Sequence, residues 1–166
     1  MTLRFWDFDG TLLNSPLPEE GKPLYEKLTN SPYPYKGWWG KHESLFHGFD
    51  IKPIGDVYNL FTFYKFDDNC KNVLLTNRMK HLKDDVLYHC DKHGLQFDLA
   101  SFKYNNQNKA QRMVQIYSDN YLDADTVVLY DDDKRHLDDV IELFGTTHLK
   151  YECYHVNNGI IIPYGL

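Results

Sequence analysis

The 166 residues contain no internal repeat, no heptad pattern and no low-complexity run, which excludes solenoid, coiled-coil and collagen-like architectures. Long apolar runs are missing too. The aliphatic stretch Ile160–Ile162 is three residues, far below the roughly 18 needed to cross a bilayer, so no membrane span is expected. Arg4, Asp7 and Asp9 interrupt the place where the apolar core of a signal peptide would sit. Cysteine is scarce: Cys70, Cys90 and Cys153 are odd in number and lack CxxC spacing. They read as reduced, buried thiols of a cytoplasmic protein rather than as a disulfide or metal site. Positive charge is in deficit, 18 Lys and Arg against 24 Asp and Glu, giving a net charge of -6. A global basic footprint is therefore absent and strong non-specific nucleic-acid binding is not expected, although a local groove stays open. The length suits one domain, residues 1–166, with room for a small insert.

What the sequence does have is aromatic side chains, 16% of the total with 13 Tyr, and they are unevenly placed. Residues 14–66 hold six of the seven prolines (16, 18, 23, 32, 34, 53) together with Tyr33, Tyr35, Trp38, Trp39, Phe46 and Phe49. Proline removes a backbone donor and clashes with the preceding turn, so this stretch is expected to be an irregular, cap-like insert with short helices at most. Around it the pattern is regular. Leu3–Trp6 reads as a strand ending in Asp7-Phe8-Asp9-Gly10-Thr11. Val73–Thr76 and Thr126–Tyr130 are continuous apolar runs, as in strands buried on both faces. Helices are predicted over 79–93, 109–121 and 135–144, with weaker strands over 99–104 and 147–156. Alternating strands and helices imply an α/β, Rossmann-like parallel sheet with helices on both faces.

In such sheets ligands bind beyond the carboxyl ends of the strands. Three strands here end in polar clusters, Asp7/Asp9, Thr76/Asn77/Arg78 and Asp131/Asp132/Asp133, and all three should share one rim. Up to five carboxylates then converge, and their repulsion calls for a divalent cation. All-oxygen donors favour a hard ion such as Mg²⁺. The plainer reading of any one of these residues is a turn former or helix cap.

Asp7-Phe8-Asp9-Gly10-Thr11-Leu12 resembles the DxDGTL first motif of the haloacid dehalogenase (HAD) superfamily of phosphohydrolases. Thr76 is similar to the second motif, a lysine opening a helix before the last acidic cluster to the third, and Asp131-Asp132 to the fourth. Ser15-Pro16-Leu17-Pro18, Gly37-Trp38-Trp39, Leu74–Arg78 and Tyr130–Asp133 with His136 resemble more narrowly the HAD-like Swiss Army Knife RNA repair-like domain. Asn77 for Gly, Asp131 for Glu and Asp133 for Arg depart from that pattern.

The resemblance implies a HAD-like fold and a set of roles. Asp7 would attack phosphorus and become an aspartyl-phosphate, while Asp9 would act as general acid and then base. Asp7, Asp9 and Asp132, with Asp131 as the second choice beside Asp132, would hold Mg²⁺. Thr76, Asn77 and Arg78 would hold phosphate oxygens. Lys109 would neutralise the phosphoryl group, with Lys103 as its rival. Trp38 and Trp39, interleaved with Lys36, Lys41 and Lys52, suit stacking on a base, so a nucleotide or a nucleic-acid terminal phosphate is the favoured substrate. The alternative is a catalytically idle module on the same fold that binds a nucleotide, nucleic acid or protein. His136 is weighed as a packing group or as a partner of the acidic cluster, and His89 and His93 as polar surface.

Overall fold

The strands of a computed structural model, which describes residues 1–165, form one six-stranded sheet; Leu166, the last residue of the expected domain, lies outside the described residues. They are β1 (Thr2–Trp6), β2 (Cys70–Met79), β3 (Leu99–Lys103), β4 (Thr126–Asp131), β5 (Lys150–Asn157) and β6 (Ile160–Tyr164). Their spatial order is β3-β2-β1-β4-β5-β6, with β1 to β5 parallel and β6 antiparallel to β5. The helices are α1 (Pro18–Thr29), α2 (Gly55–Lys65), α3 (Lys83–Asp91), α4 (Lys109–Asn120) and α5 (Lys134–Phe144).

Side-chain alternation along the strands builds two cores. Leu3 and Phe5 of β1, Val73 and Leu75 of β2 and Val127 and Leu129 of β4 meet Ala110 and Met113 of α4 and Leu137, Val140 and Phe144 of α5. Trp6, Leu74, Val128 and Tyr130 point the other way, to Val57 and Phe61 of α2 and Val86 and Cys90 of α3. Period two in the strands and roughly 3.6 in the helices thus give a three-layer Rossmann-like sandwich. The three cysteines are free and buried. No described helix is long and apolar enough to cross a membrane.

The strand order positions the site. The chain runs from β1 outward through β2 to β3, then crosses back to place β4 on the other side of β1. Such a reversal opens a crevice at the carboxyl ends of the two central strands. Trp6 lies in register with Tyr130, and the Asp7 amide donates to the Tyr130 carbonyl at 3.0 Å. Asp7 and Asp131 therefore leave the sheet side by side.

Four local features differ from the sequence expectation. The proline-rich stretch contains a 12-residue helix, α1, with Pro18 at its start and Pro23 inside. A proline at the first turn is already set for a helix, and Pro23 forfeits one bond within the early turns. Packing compensates: Gly21 lies so close to the Trp38 ring that a Cβ there would fall 2.1 Å from it. Second, β2 does not end at Thr76 but continues to Met79 through an irregularity in its pairing with β3, so Asn77 and Arg78 are strand residues. Third, α3 consequently begins at Lys83, after a short 3₁₀ turn at Lys80–Leu82. Fourth, Ile160–Tyr164 forms β6, a strand without a local signal, since three isoleucines beside a proline carry no alternation.

Residues between β1 and α2 pack through aromatic edges, Tyr25 on Phe46 at 5.5 Å and Trp38 on Phe49 at 6.3 Å. Histidines tie this segment to the α3 region. His81, His89 and His93 contact the carbonyls of Gly40, Leu45 and Ile51, and Asp85 contacts both His42 and His47. His89, expected as polar surface, is fully buried in this seam. The α2 helix belongs to the sheet sandwich itself, with Phe61 edge-on to Trp6 at 5.3 Å.

Candidate active site

Asp7, Lys109 and Asp131 form a buried ion triad at the switch point. Lys109 Nζ donates to Asp7 Oδ1 at 2.7 Å and to Asp131 Oδ2 at 2.6 Å. Lys109 is 1% exposed and opens α4, whose N-terminus is fixed by a capping box between Asn108 and Gln111. Of the two candidate lysines it is Lys109 that reaches the acidic residues; Lys103 sits on β3. Burial would strip the charge from Lys109, but the Asp7 and Asp131 carboxylates more than offset this and raise its pKa. Asp131 is held below its ordinary value: burial opposes ionisation, and Lys109 and His136 overcome it. Asp7 goes the other way. Burial, reinforced by Asp131 and Asp132, raises it well above the usual carboxylate range despite Lys109.

Asp132 follows Asp131 on the exposed side, and its pKa is raised by burial and by Asp131. Asp7, Asp131 and Asp132 each present a carboxylate oxygen, all within 4.8 Å of one another. Asp9, expected among the metal-binding carboxylates, stands apart from that group. Its two oxygens accept from Arg78 Nη2 at 2.8 Å and Nε at 2.9 Å, and Oδ1 also accepts from the Ser15 hydroxyl. Arg78 is 3% exposed and further donates to the Trp39 carbonyl and the Ser44 hydroxyl, both at 2.6 Å. It is thus clamped between Asp9 and the segment after β1 rather than free to meet phosphate.

Gly10 makes room for Asp132. Its φ is +73°, and a Cβ there would lie 2.4 Å from Asp132 Oδ2. Gly10→Ala is expected to destabilise the fold by about 1–2 kcal/mol for the left-handed backbone. Thermal unfolding should show this as a Tm roughly 2–8 °C lower.

The remaining expected residues divide. Thr76 is fully buried, and its hydroxyl accepts from the Arg78 amide at 3.0 Å. Trp38, expected to stack on a base, is instead 4% exposed, donates to the Pro16 carbonyl and packs in the aromatic core, so it offers no face to a ligand. Large side chains were needed to bury a proline-rich segment, and Trp38 serves that end. Trp39 is 43% exposed, with its ring against the Arg78 guanidinium. It lines a cavity of about 430 Å³ together with Asp7, Asp9, Arg78, Lys109, Asp132 and His136. A neighbouring cavity of about 490 Å³ shares Asp132 with it and reaches Lys52 and His155, but holds none of Asp7, Asp9 or Lys109. The smaller cavity therefore contains the candidate chemistry.

Sequence reasoning missed Ser15, Ser44 and Arg112. Ser15 was quoted only within the Ser15–Pro18 resemblance and without a role, and Ser44 carries no local signal, since what each does depends on Asp9 or Arg78. Arg112 had one: it falls on the face of α4 that also carries Lys109 and Met113, where a second charge is out of place.

No family model and no curated protein matches the sequence. Solved structures do match in fold. A chain of the Pnkp1/Rnl/Hen1 RNA repair complex superposes with a TM-score of 0.59 at 17% identity, over 94% of this chain and 42% of that one. A haloacid dehalogenase-like family hydrolase from Streptococcus pneumoniae superposes with a TM-score of 0.53 at 13% identity, over 85% of this chain and 80% of that one. The chain spans less than half the length of the first. Both likenesses are of fold, and the second makes the Rossmann-like sheet HAD-like in arrangement.

Proposed function

We propose that the chain is a Mg²⁺-dependent phosphohydrolase that cleaves phosphomonoesters through a phosphorylated Asp7. The observation that carries this reading is the buried Asp7–Lys109–Asp131 triad, set at the switch point with Asp132 beside it. A surface acidic cluster needs no such lysine. A site that must hold a nucleophilic carboxylate against an anionic phosphate does.

The three clustered carboxylates suit a hard, oxygen-ligated ion, with Asp7 and Asp132 as its holders, since both line the cavity whereas Asp131 is fully buried behind them. Bound there, Mg²⁺ would offset the repulsion between the phosphate oxygens and Asp7. The protein does the rest. Asp7 Oδ attacks phosphorus as the P–O bond to the leaving group breaks, and Asp9 gives the leaving oxygen its proton. Water then attacks phosphorus, returns a proton to Asp9 and releases phosphate as the Asp7–phosphorus bond breaks. Lys109 stays within reach of both Asp7 and the phosphoryl oxygens. Asp9 must exchange Arg78 for a proton when the leaving group arrives, which leaves Arg78 able to meet the phosphate.

For the substrate, the exposed face of Trp39 at the cavity mouth favours a nucleotide or a nucleic-acid terminal phosphate. The RNA repair assembly among the structural neighbours is consistent with that choice. The segment 14–66 would act as a cap-like element, and three reduced thiols suit the cytoplasm. The test is phosphate release, with Mg²⁺, from mononucleotides, sugar phosphates and oligonucleotides bearing 3′- or 5′-phosphates. Mg²⁺ at ten times its Kd is also expected to stabilise the protein by about 1.4 kcal/mol, roughly 3–6 °C in Tm, and Asp132→Asn to lose that shift.

One observation favours a second reading, an idle binding module: Arg78 and Ser15 already occupy Asp9. Such a module would hold its ligand equally well with Asp7→Asn and turn over nothing in either form.

A further inference from the structure

A chain of side-chain hydrogen bonds runs from α4 to the acidic rim through residues that touch neither Asp7 nor Asp9. Arg112 Nη2 donates to the Asn77 side-chain oxygen at 2.8 Å and to the Thr76 carbonyl at 3.0 Å. The Asn77 amide nitrogen meets His136 Nε2 at 3.0 Å. His136 Nδ1 lies 3.1 and 3.2 Å from the two oxygens of Asp131. Asp131 in turn holds Lys109.

The direction of each bond follows from what the groups can do. A guanidinium only donates, so the Asn77 atom facing Arg112 must be its oxygen. The NH₂ of Asn77 then faces His136 and donates, which requires Nε2 to be bare. The ring proton is left on Nδ1, where it points at Asp131, a carboxylate that only accepts. The donor-only group at the far end and the acceptor-only carboxylate at the near end thus select the same tautomer.

Arg112 is unusual enough to need a purpose. It is 2% exposed, its Nε has no partner, and all the bonds it makes are to neutral groups, Ser101, Thr76 and Asn77. Burial lowers its pKa to about 10, which still leaves it charged at neutral pH. An apolar side chain of that size would pack at less cost. It also braces β2 where pairing with β3 slips between Leu75 and Met79, so Asn77 is held where regular ladder bonds do not hold it.

We propose that Arg112 and Asn77 are positioning residues that keep His136 in its Nδ1–H tautomer and thereby fix Asp131, the carboxylate that anchors Lys109 beside Asp7. Asn77 acts through His136 and is not primarily a phosphate ligand. The effect on turnover rests on the phosphohydrolase reading; the tautomer does not.

Long-range ¹H–¹⁵N NMR of the whole chain without substrate reads the tautomer directly, with His136→Gln to assign the signals. Expected is a proton on Nδ1 and a bare Nε2; a proton-bearing Nε2 would overturn the proposal. Asn77→Asp keeps the shape but can only accept, so it is expected to draw a proton onto Nε2. An unchanged signal there would equally count against the relay. With para-nitrophenyl phosphate and Mg²⁺, Arg112→Met is expected to lower kcat about 10–100-fold with KM within about twofold. Unchanged kcat, or a loss carried wholly by KM, refutes the positioning role. The expected NMR signals from a wild-type protein that releases no phosphate support the relay and overturn the phosphohydrolase reading instead.

Discussion

Replacing Asp7 by Asn is expected to abolish turnover in a protein at least as heat-stable as its parent. The two halves of that result have different causes. Asparagine has no anionic oxygen to attack phosphorus, and loss of a covalent nucleophile costs at least about 10⁴ in rate, or roughly 5.5 kcal/mol of barrier. Stability moves the other way because the Asp7 carboxyl titrates well above its ordinary value, pushed up by burial and by Asp131 and Asp132. A carboxyl raised in the folded state penalises folding once ionised, so at neutral pH the parent carries a cost that Asn removes. Lys109 keeps Asp131 as a partner in the variant. Phosphate release and thermal unfolding on one preparation separate these effects. Full turnover by the variant would sink the role given to Asp7, and a collapsed Tm would show that the triad needs all three members.

Removing Lys109 should be the most damaging single change to the fold. Lys109→Met keeps the volume and the helix but leaves Asp7 and Asp131 buried with no shared cation; Asp131 is 0% and Asp7 5% exposed. Breaking a buried pair in this way costs about 3–5 kcal/mol, which for a chain of this size means a Tm about 6–20 °C lower. The damage comes from stranded charge rather than lost packing, so Lys109→Met with Asp131→Asn should recover a large part of it. Equal losses in the single and double variants would mean that the side chain, not the charge, was at stake. Turnover should fail in both, because nothing then balances the charge on the phosphoryl group.

How far the site could be read from the chain depended on whether its signals were local. Asp7-Phe8-Asp9-Gly10-Thr11 directly follows a strand, so a rim position for both acids was legible from residues 3–11 alone. The different partners of the two carboxylates were not. Asp7 meets Lys109, which lies 102 positions away, and Asp9 turns to Arg78, which lies 69 away. Trp38 and Trp39 are adjacent and chemically alike, yet one is buried under α1 and the other lies open at the cavity. Composition marks both equally, and the contacts of Trp38 with Gly21, Pro16 and Phe49 separate them. The length of β2 was hidden because Thr76-Asn77-Arg78 is polar, and polar residues at a strand end read as a loop unless charged partners elsewhere receive them.

By itself the sequence determined the layer architecture and the rim to which the strand-end carboxylates come. Continuous apolar runs alternating with amphipathic helices have one economical solution, a parallel sheet covered on both faces, and that sheet brings its strand ends to one rim. The tertiary structure alone decided how the charges at that rim are paired. Pairing depends on ångström-scale distances between elements far apart in sequence, and on which side chains lose water together. By position alone a lysine opening a helix reads as solvated, and only the motif resemblance singled out Lys109. It becomes the buried hub of the site only because α4 docks with its N-terminus between β1 and β4, where desolvation makes two carboxylates its obligatory partners.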